Sequence, residues 1–269
     1  GVWTMRLGLP TTGDYSGLQM ADVNLDGYPD VLASSTTNNQ TVWTGDGSYG
    51  WYLQILGLSS NCYFKALSVG DIDRDGRLDF CGPGATGGIG MWGSSVERTV
   101  NSWSPYGTPA TAATINDITT LDVNLDGKLD ICYATQANGI QIYIGNGAGT
   151  WTTFASPVTA GAYYSVRSCD FNRDGKPDLV ASSSAGVMAW VGNGAGTWVA
   201  RTSGLPNTGT WFSIAVDDLN DDGTADIAVG SGQGSGMRLY SGDGTGVWTM
   251  KLGLPLSANF HDIATGDVN

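Results

Sequence analysis

Six times along the chain, alternating apolar and polar positions run into a cluster of acids, the sixth cluster ending at Asn269. Four residues before each cluster stand Leu18, Leu67, Ile118, Val166, Ile214 and Ile263. Two before it stand Met20, Val69, Thr120, Ser168, Val216 and Thr265. A two-residue period is the pleat of a β-strand with one buried face. A second strand leaves five of the clusters directly, in DVLAS, DFCGP, DICYA, DLVAS and DIAVG. A third carries a ring 20 to 22 positions after the opening aspartate, at Trp43, Trp92, Tyr143, Trp190 or Tyr240. A glycine turn follows (TGDGSYG, IGNGAGT, VGNGAGT, SGDGTG), and a fourth strand opens on Trp3, Trp51, Trp103, Trp151, Trp198 or Trp248. One more aromatic column, Tyr15, Phe64, Tyr163, Trp211 and Phe260, lies a few residues ahead of the first strand, with Ile115 in the third copy. No stretch carries the 3.6-residue period of a helix.

The clusters open at residues 22, 71, 122, 170, 218 and 267, spaced by 49, 51, 48, 48 and 49 residues. The opening GVWTMRLGLP returns as GVWTMKLGLP at 246–255, five periods later. Four antiparallel strands repeated at this interval predict an all-β fold, a β-propeller of four-stranded blades with five complete repeats of about 49 residues plus a partial blade. A lone blade cannot cover both its faces, and neighbouring blades supply the cover. Residues 1–269 therefore read as a single propeller domain or a fragment of one. A start at Gly1 and an end three residues into a sixth cluster favour a piece of a longer polypeptide.

The acids set the chemistry. Each cluster reads D-x-[DN]-x-D-G-x-x-D, and 16 of the chain's 25 acids stand at positions 1, 3, 5 and 9 of the five complete copies. All but one of the 25, Glu97, are aspartates, so the sequence wants short carboxylates close to the backbone. The candidate ligands are the side chains at positions 1, 3, 5 and 9 with the carbonyl of position 7. In the first loop these are Asp22, Asn24, Asp26, Asp30 and Tyr28, and in the second Asp71, Asp73, Asp75, Asp79 and Arg77. In the third they are Asp122, Asn124, Asp126, Asp130 and Lys128, and in the fourth Asp170, Asn172, Asp174, Asp178 and Lys176. In the fifth they are Asp218, Asn220, Asp222, Asp226 and Thr224. The glycine at position 6 permits a sharp turn.

An all-oxygen shell of about six ligands suits Ca²⁺, whereas Mg²⁺ keeps its water and asks for a tighter octahedron. An EF-hand begins the same way but closes on Glu at position 12 between two helices; here position 12 is Ala33, Gly82, Tyr133, Ala181 or Val229, and the flanks are strands. Crowded carboxylates repel unless neutralised. About five Ca²⁺ would bring the formal charge of −13 to roughly −3. The plainer alternative is a set of Asx turns that hold only water.

The acidic motif, the strand before it and the Gly-Asn-Gly turn after it resemble the FG-GAP/VCBS repeat family, which includes the calcium-binding propeller of integrin α-chains and secreted bacterial and fungal propellers. The resemblance spans essentially the whole chain. It implies a β-propeller, often of seven blades, with Ca²⁺ in each loop between the first and second strands. It also implies recognition work, since some relatives are lectins that hold sugars between blades.

Other features exclude rather than add. There are 12 Lys and Arg with no basic stretch, which argues against nucleic acid, and no apolar run reaches the length of a membrane span. The one histidine, His261, aligns with Ser16 and reads as a surface position, so no Ser-His-Asp set is expected. Asp46 and Asp243 fall in hairpin turns, and Asp14, Glu97, Asp117, Asp217, Asp221 and Asp262 are the other acids away from the ligand positions of the motifs for a glycosidase pair. Asp117 and Asp262 align with each other and are placed toward the central channel. The GNGAGT turns lead into strands, not helices, so they lack the dipole of a phosphate loop. Cys81 and Cys132 fall at one repeat position as small core side chains, while disulfides among Cys62, Cys81, Cys132 and Cys169 stay open for a secreted chain.

The sequence thus predicts a non-enzymatic, Ca²⁺-stabilised recognition or adhesion module, extracellular or on the cell surface, whose partner is a protein or glycan. Tyr15, Tyr163 and Trp211, near loop ends, are the candidate ligand-stacking rings. The alternatives are a scaffold segment of a larger surface assembly, or the propeller part of a polysaccharide-degrading enzyme.

Overall fold

The computed structural model describes residues 15–35, 39–48, 50–54, 66–84, 88–95, 102–105, 107–109, 113–251 and 257–266, with Leu9 and Thr111. Trp3, Asp14, Cys62, Phe64, Glu97, Asp267 and the matching end segments 1–8 and 252–256 lie outside the described residues. Twenty strands form five four-stranded sheets, and there is no helix among the described residues. The first sheet holds β1 (Tyr15–Ala21), β2 (Asp30–Ser35), β3 (Asn39–Gly45) and β4 (Trp51–Gln54). The second holds β5 (Ser68–Gly70), β6 (Asp79–Pro83), β7 (Ile89–Ser95) and β8 (Ser102–Pro105). The third holds β9 (Ile115–Leu121), β10 (Asp130–Thr135), β11 (Ile140–Gly145) and β12 (Trp151–Phe154). The fourth holds β13 (Tyr163–Cys169), β14 (Asp178–Ser183), β15 (Gly186–Gly192) and β16 (Trp198–Ala200). The fifth holds β17 (Trp211–Asp217), β18 (Asp226–Ser231), β19 (Met237–Gly242) and β20 (Trp248–Lys251). Within each sheet, strands run in sequence order and pair antiparallel, as in propeller blades.

The cores lie between sheets. Ile72, Cys81 and Met91 of the second pack on Ile118, Ile131 and Tyr133 of the third. Cys132 and Ile142 of the third meet Val166, Leu179 and Trp190 of the fourth, and Val180 and Ala189 of the fourth meet Trp211, Ile214 and Ile227 of the fifth. Second strands, covered on both sides, are buried along their whole length in β6, β10, β14 and β18. This explains their unbroken apolar runs, where a half-covered strand would alternate. Cys81, Cys132 and Cys169 are free thiols, and burial pushes Cys81 and Cys169 up to about 12.

The tryptophans that open fourth strands also tie sheets together. Trp151 Nε1 donates to Gly107 O at 2.7 Å, Trp198 Nε1 to Ala155 O at 2.8 Å and Trp248 Nε1 to Arg201 O at 2.9 Å, each acceptor lying past the fourth strand of the preceding sheet.

The described sheets do not close a ring. Leu18 and Met20 on the outer face of the first sheet are 60% and 58% exposed, whereas Leu67, Ile118, Val166 and Ile214, the counterparts of Leu18, are at most 5% exposed. At the other end, residues 257–266 lie against the fifth sheet, with Phe260 N donating to Ser231 O at 2.8 Å and Gly236 N to Ala258 O at 3.2 Å.

Four sheets share a second irregularity. The pairing of first and second strands skips one residue, at Ser16 in β1, Asn116 in β9, Tyr164 in β13 and Phe212 in β17. A β-bulge leaves its extra residue unpaired and re-aims it. Asn116, Tyr164 and Phe212 all line a cavity of about 500 Å³ at the inner edges of the sheets.

Candidate functional site

Each acidic loop joins the first strand of a sheet to its second, and all five adopt one backbone. The glycine at position 6 is left-handed in each, from φ 78° at Gly175 to 91° at Gly27. Position 4 is left-handed too, at Leu25, Arg74, Leu125, Arg173 and Asp221, with φ between 57° and 62°. Four of these five residues are Leu or Arg, for which that conformation is unfavourable. A carboxylate holds the loop in place: position 1 accepts the amide N–H of position 6 in every copy, from 2.6 Å at Asp218 to 3.0 Å at Asp71. The side-chain oxygen at position 3 accepts from the N–H of position 5 in every copy, at 2.9–3.1 Å.

Position 9 sits deepest. Asp30, Asp79, Asp130, Asp178 and Asp226 are at most 3% exposed. One oxygen of each accepts the N–H of position 2, at 2.8–3.1 Å. In four sheets the other accepts from the glycine that ends the third strand: Gly45 at 2.9 Å, Gly145 at 2.8 Å, Gly192 at 2.9 Å and Gly242 at 3.1 Å. This residue therefore has a structural task independent of any ion. Burial outweighs those donors and raises Asp30, with Asp130 and Asp178 held up to about 6.

The second loop differs from the rest. In the other four, position 1 also accepts the N–H of position 5, at 3.0–3.1 Å. In the second, Asp71 Oδ1 is buried without a hydrogen-bond partner. Asp71, Asp73 and Asp79 bring carboxylate oxygens within 4.8 Å of one another, the one such group of three among the described residues. Burial raises Asp73, with Asp75 and Asp71 adding to it. An orphaned buried oxygen beside two further carboxylates fits a hard divalent cation.

Position 7 tunes the loops. Lys128 Nζ lies 3.2 Å from Asp126 and Lys176 Nζ 3.0 Å from Asp174, while Arg77 pairs with Asp75 and the Thr224 hydroxyl bonds Asp222. Asp174 is lowered by the Lys176 hydrogen bond and Asp222 by those from Thr224. Tyr28, at this position in the first loop, is exposed.

Three acids outside the loops are engaged in turns and between sheets. Asp46 takes the amides of Ser48 and Gly50, both at 2.8 Å, and Asp243 those of Thr245 and Val247 at 2.8 and 3.1 Å. Asp117 bridges the third and fourth sheets, accepting from Ser165 Oγ at 2.6 Å, Val166 N at 3.0 Å and Arg167 Nη1 at 2.5 Å.

The three rings expected to stack on a ligand have different places. Trp211 is 1% exposed, bonds Thr208 O through Nε1 at 3.1 Å and lies under the Arg238 guanidinium; Tyr163 is 8% exposed and packs on Trp190. Both fill cores between sheets. Tyr15 is 37% exposed, lines the cavity and meets Trp43 edge-on at 5.9 Å. The rings that reach the cavity from the bulges are the next residues along, Tyr164 and Phe212. Sequence alternation carries no sign of the bulge, so it does not tell which of the two neighbours faces the cavity.

The profile of the FG-GAP-like repeat matches residues 22–81, 122–181 and 170–229, and that of the FG-GAP repeat matches 210–250. No curated protein matches the chain in sequence. In fold it is similar to an Agrocybe aegerita lectin described as recognising non-reducing terminal N-acetylglucosamine, at 18% identity and a TM-score of 0.58 over 87% of this chain and 64% of the lectin's. The chain thus spans just under two thirds of that lectin's length. It is also similar to BBS1N in its complex with ARL6DN, at 13% identity and a TM-score of 0.59 over 91% of this chain and 70% of the other. With the repeat profiles covering more than half of its length, the chain belongs to the FG-GAP repeat family.

Proposed function

We propose that this protein is a secreted or cell-surface propeller module, stabilised by Ca²⁺ in its acidic loops and devoted to recognition rather than catalysis. The observation that carries the metal reading is the second loop, where Asp71, Asp73 and Asp79 converge and Asp71 Oδ1 is buried without a partner. The ion would be held by positions 1, 3, 5 and 9 with the position 7 carbonyl. It would supply positive charge and nothing more, letting the carboxylates approach while the backbone hydrogen bonds hold the loop. Millimolar Ca²⁺ outside cells fills even weak sites, which supports an extracellular setting.

Recognition is supported by what the free acids do. Asp46, Asp243 and Asp117 are committed to turns and a sheet–sheet bridge, a poor basis for a general acid and base. Rigid sheets with loops on two rims suit the grip of a glycan or protein, and the likeness in fold to a lectin favours a glycan. Ring closure by a sixth blade is supported by residues 257–266 on the fifth sheet and the uncovered Leu18 and Met20 on the first.

The test is a glycan array probed with the Ca²⁺-loaded protein, paired with elemental analysis. Dose-dependent binding to a defined set of glycans, with about five calcium ions per chain, is the expected result. Silence on the array would turn the reading to a scaffold segment, and absence of calcium would remove the ion from it.

A further inference from the structure

We infer that the axial cavity is a binding site for a neutral pyranose, built by the β-bulges of the first strands. The inference rests on the glycan-recognition reading and places the ligand at the inner edges of the sheets, apart from the clefts between them. Three observations meet here. The first is the bulge itself, which in three sheets aims Asn116, Tyr164 and Phe212 into one cavity of about 500 Å³. That volume falls within the range of small-molecule sites. A regular strand would have alternated past these positions. The same irregularity in one sheet after another is the kind of feature found beside functional sites.

The second observation is a continuous aromatic face. Tyr164 meets Phe212 edge-on at 4.9 Å, and Phe212 stacks on His261 at 5.5 Å with the planes 26° apart. All three are at one repeat position, six residues before the motif, and come from consecutive repeats. Tyr164 and Phe212 are half-buried and His261 is exposed, and a ring run of this kind along a cavity wall offers an apolar surface to the C–H face of a sugar.

The third is an unmet polar group. Ser213 lines the cavity and is 3% exposed, yet its Oγ has no hydrogen-bond partner. Buried hydroxyls are almost always bonded, and this one, closed off over Gly230 beside Phe260, meets a ligand by rotation of its side chain toward the cavity. The equivalent hydroxyl one sheet earlier, Ser165 Oγ, is satisfied by Asp117 at 2.6 Å. Asn116 and Asp262 also line the cavity; Asn116 Nδ2 already donates to Tyr163 O at 2.7 Å, so the two residues offer their oxygens as acceptors to sugar hydroxyls.

Charge narrows the ligand. Arg167 is already paired with Asp117, which leaves Asp262 as the uncompensated charge among the residues that line the cavity. An anionic sugar meets repulsion there, whereas a neutral one does not. The cavity is also too rich in polar groups for a lipid chain.

The only histidine in the chain makes a direct test available, because the His261 Cε1–H resonance reports on this mouth alone. Methyl glycosides of glucose, galactose, mannose and N-acetylglucosamine would be titrated into the Ca²⁺-loaded protein, with glucuronic acid and sialic acid as anionic controls. At least one neutral glycoside should shift that resonance saturably, and the acids should not. Phe212→Ala and Tyr164→Ala should each weaken binding about tenfold or more; Phe212→Leu, which keeps the bulk but loses the ring, should weaken it with an unchanged melting midpoint. Array binding by the wild type with no His261 shift, and with Phe212→Leu binding normally, overturns the axial site while leaving glycan recognition standing. Preference for the acidic sugars also overturns it. No glycan bound on the array overturns both readings.

Discussion

Asp130 Oδ1 accepts the amide proton of Gly145 at 2.8 Å, while its other oxygen accepts that of Val123 at 2.9 Å. One buried carboxylate thus fastens the start of the acidic loop to the far end of the third strand. The same bracket recurs through Asp30, Asp178 and Asp226. Asp130→Ala would leave two buried N–H groups without acceptors, at about 1–3 kcal/mol each. Urea unfolding should show a loss of about 2–5 kcal/mol in excess chelator as well as in Ca²⁺. A loss seen in Ca²⁺ alone would mean that the carboxylate serves the ion and not the backbone.

Removal of calcium should lower the melting midpoint. Each site filled at about 100 times its dissociation constant adds about 2.7 kcal/mol to the folded state. Scanning calorimetry in Ca²⁺ and in excess chelator measures the difference. Asp71→Asn removes charge where a buried oxygen has no partner, so it should narrow the gap between the two midpoints and lower the bound calcium by about one ion. Equal midpoints for the wild type in both buffers would contradict the metal reading.

Much of this architecture was legible in the sequence, and for identifiable reasons. Leu67, Ile118, Val166 and Ile214 alternate because one face of each first strand packs on the preceding sheet. Trp51, Trp151, Trp198 and Trp248 open fourth strands as expected. The loops could also be read as tight turns between first and second strands, since Asp and Gly at fixed spacing favour turns. The bulges could not, because they are a property of register between two strands, and Tyr164 and Phe212 look like any other strand residues. The left-handed turn at Leu25, Arg74, Leu125 and Arg173 was hidden for a related reason: its residues are not those that favour it. Nor does local sequence announce that Asp130 reaches a glycine fifteen residues away.

Two glycines of the fourth sheet should respond differently to alanine. A Cβ on Gly192 would lie 2.4 Å from Pro177 O and 2.8 Å from the Trp198 ring, both held in place by packing. A Cβ on Gly175 would meet nothing within 4 Å, and only its φ of 78° resists. Gly175→Ala should therefore cost about 1–2 kcal/mol. Gly192→Ala should cost up to about 3 kcal/mol and should also loosen the Trp198 indole. Denaturant midpoints give the first comparison, and tryptophan emission of the folded Gly192 variant checks the second. A larger loss at Gly175 than at Gly192 would reverse the argument.

The pH dependence should change direction with calcium. Burial holds Asp130 and Asp178 up to about 6 in the folded chain, against 3.8 for an ordinary aspartate. Between those values the folded chain binds more protons than the unfolded one, so its stability falls as pH rises. The contribution of these groups is fully present below the lower value and is lost through the upper one. Asp46, Asp174, Asp222 and Asp243 shift downward instead, so their losses come at more acid pH, outside this window. In excess chelator the melting midpoint should therefore rise as pH is taken from about 7.5 to about 5. In Ca²⁺ the same protonation displaces the ion, and metal binding is stronger where its ligands are deprotonated. The calcium-dependent part of the midpoint should then shrink over the same interval. Melting curves at four or five pH values in each buffer would test both slopes. A chelated protein that loses stability on mild acidification would show that Asp130 and Asp178 fold as carboxylates and that burial does not govern them.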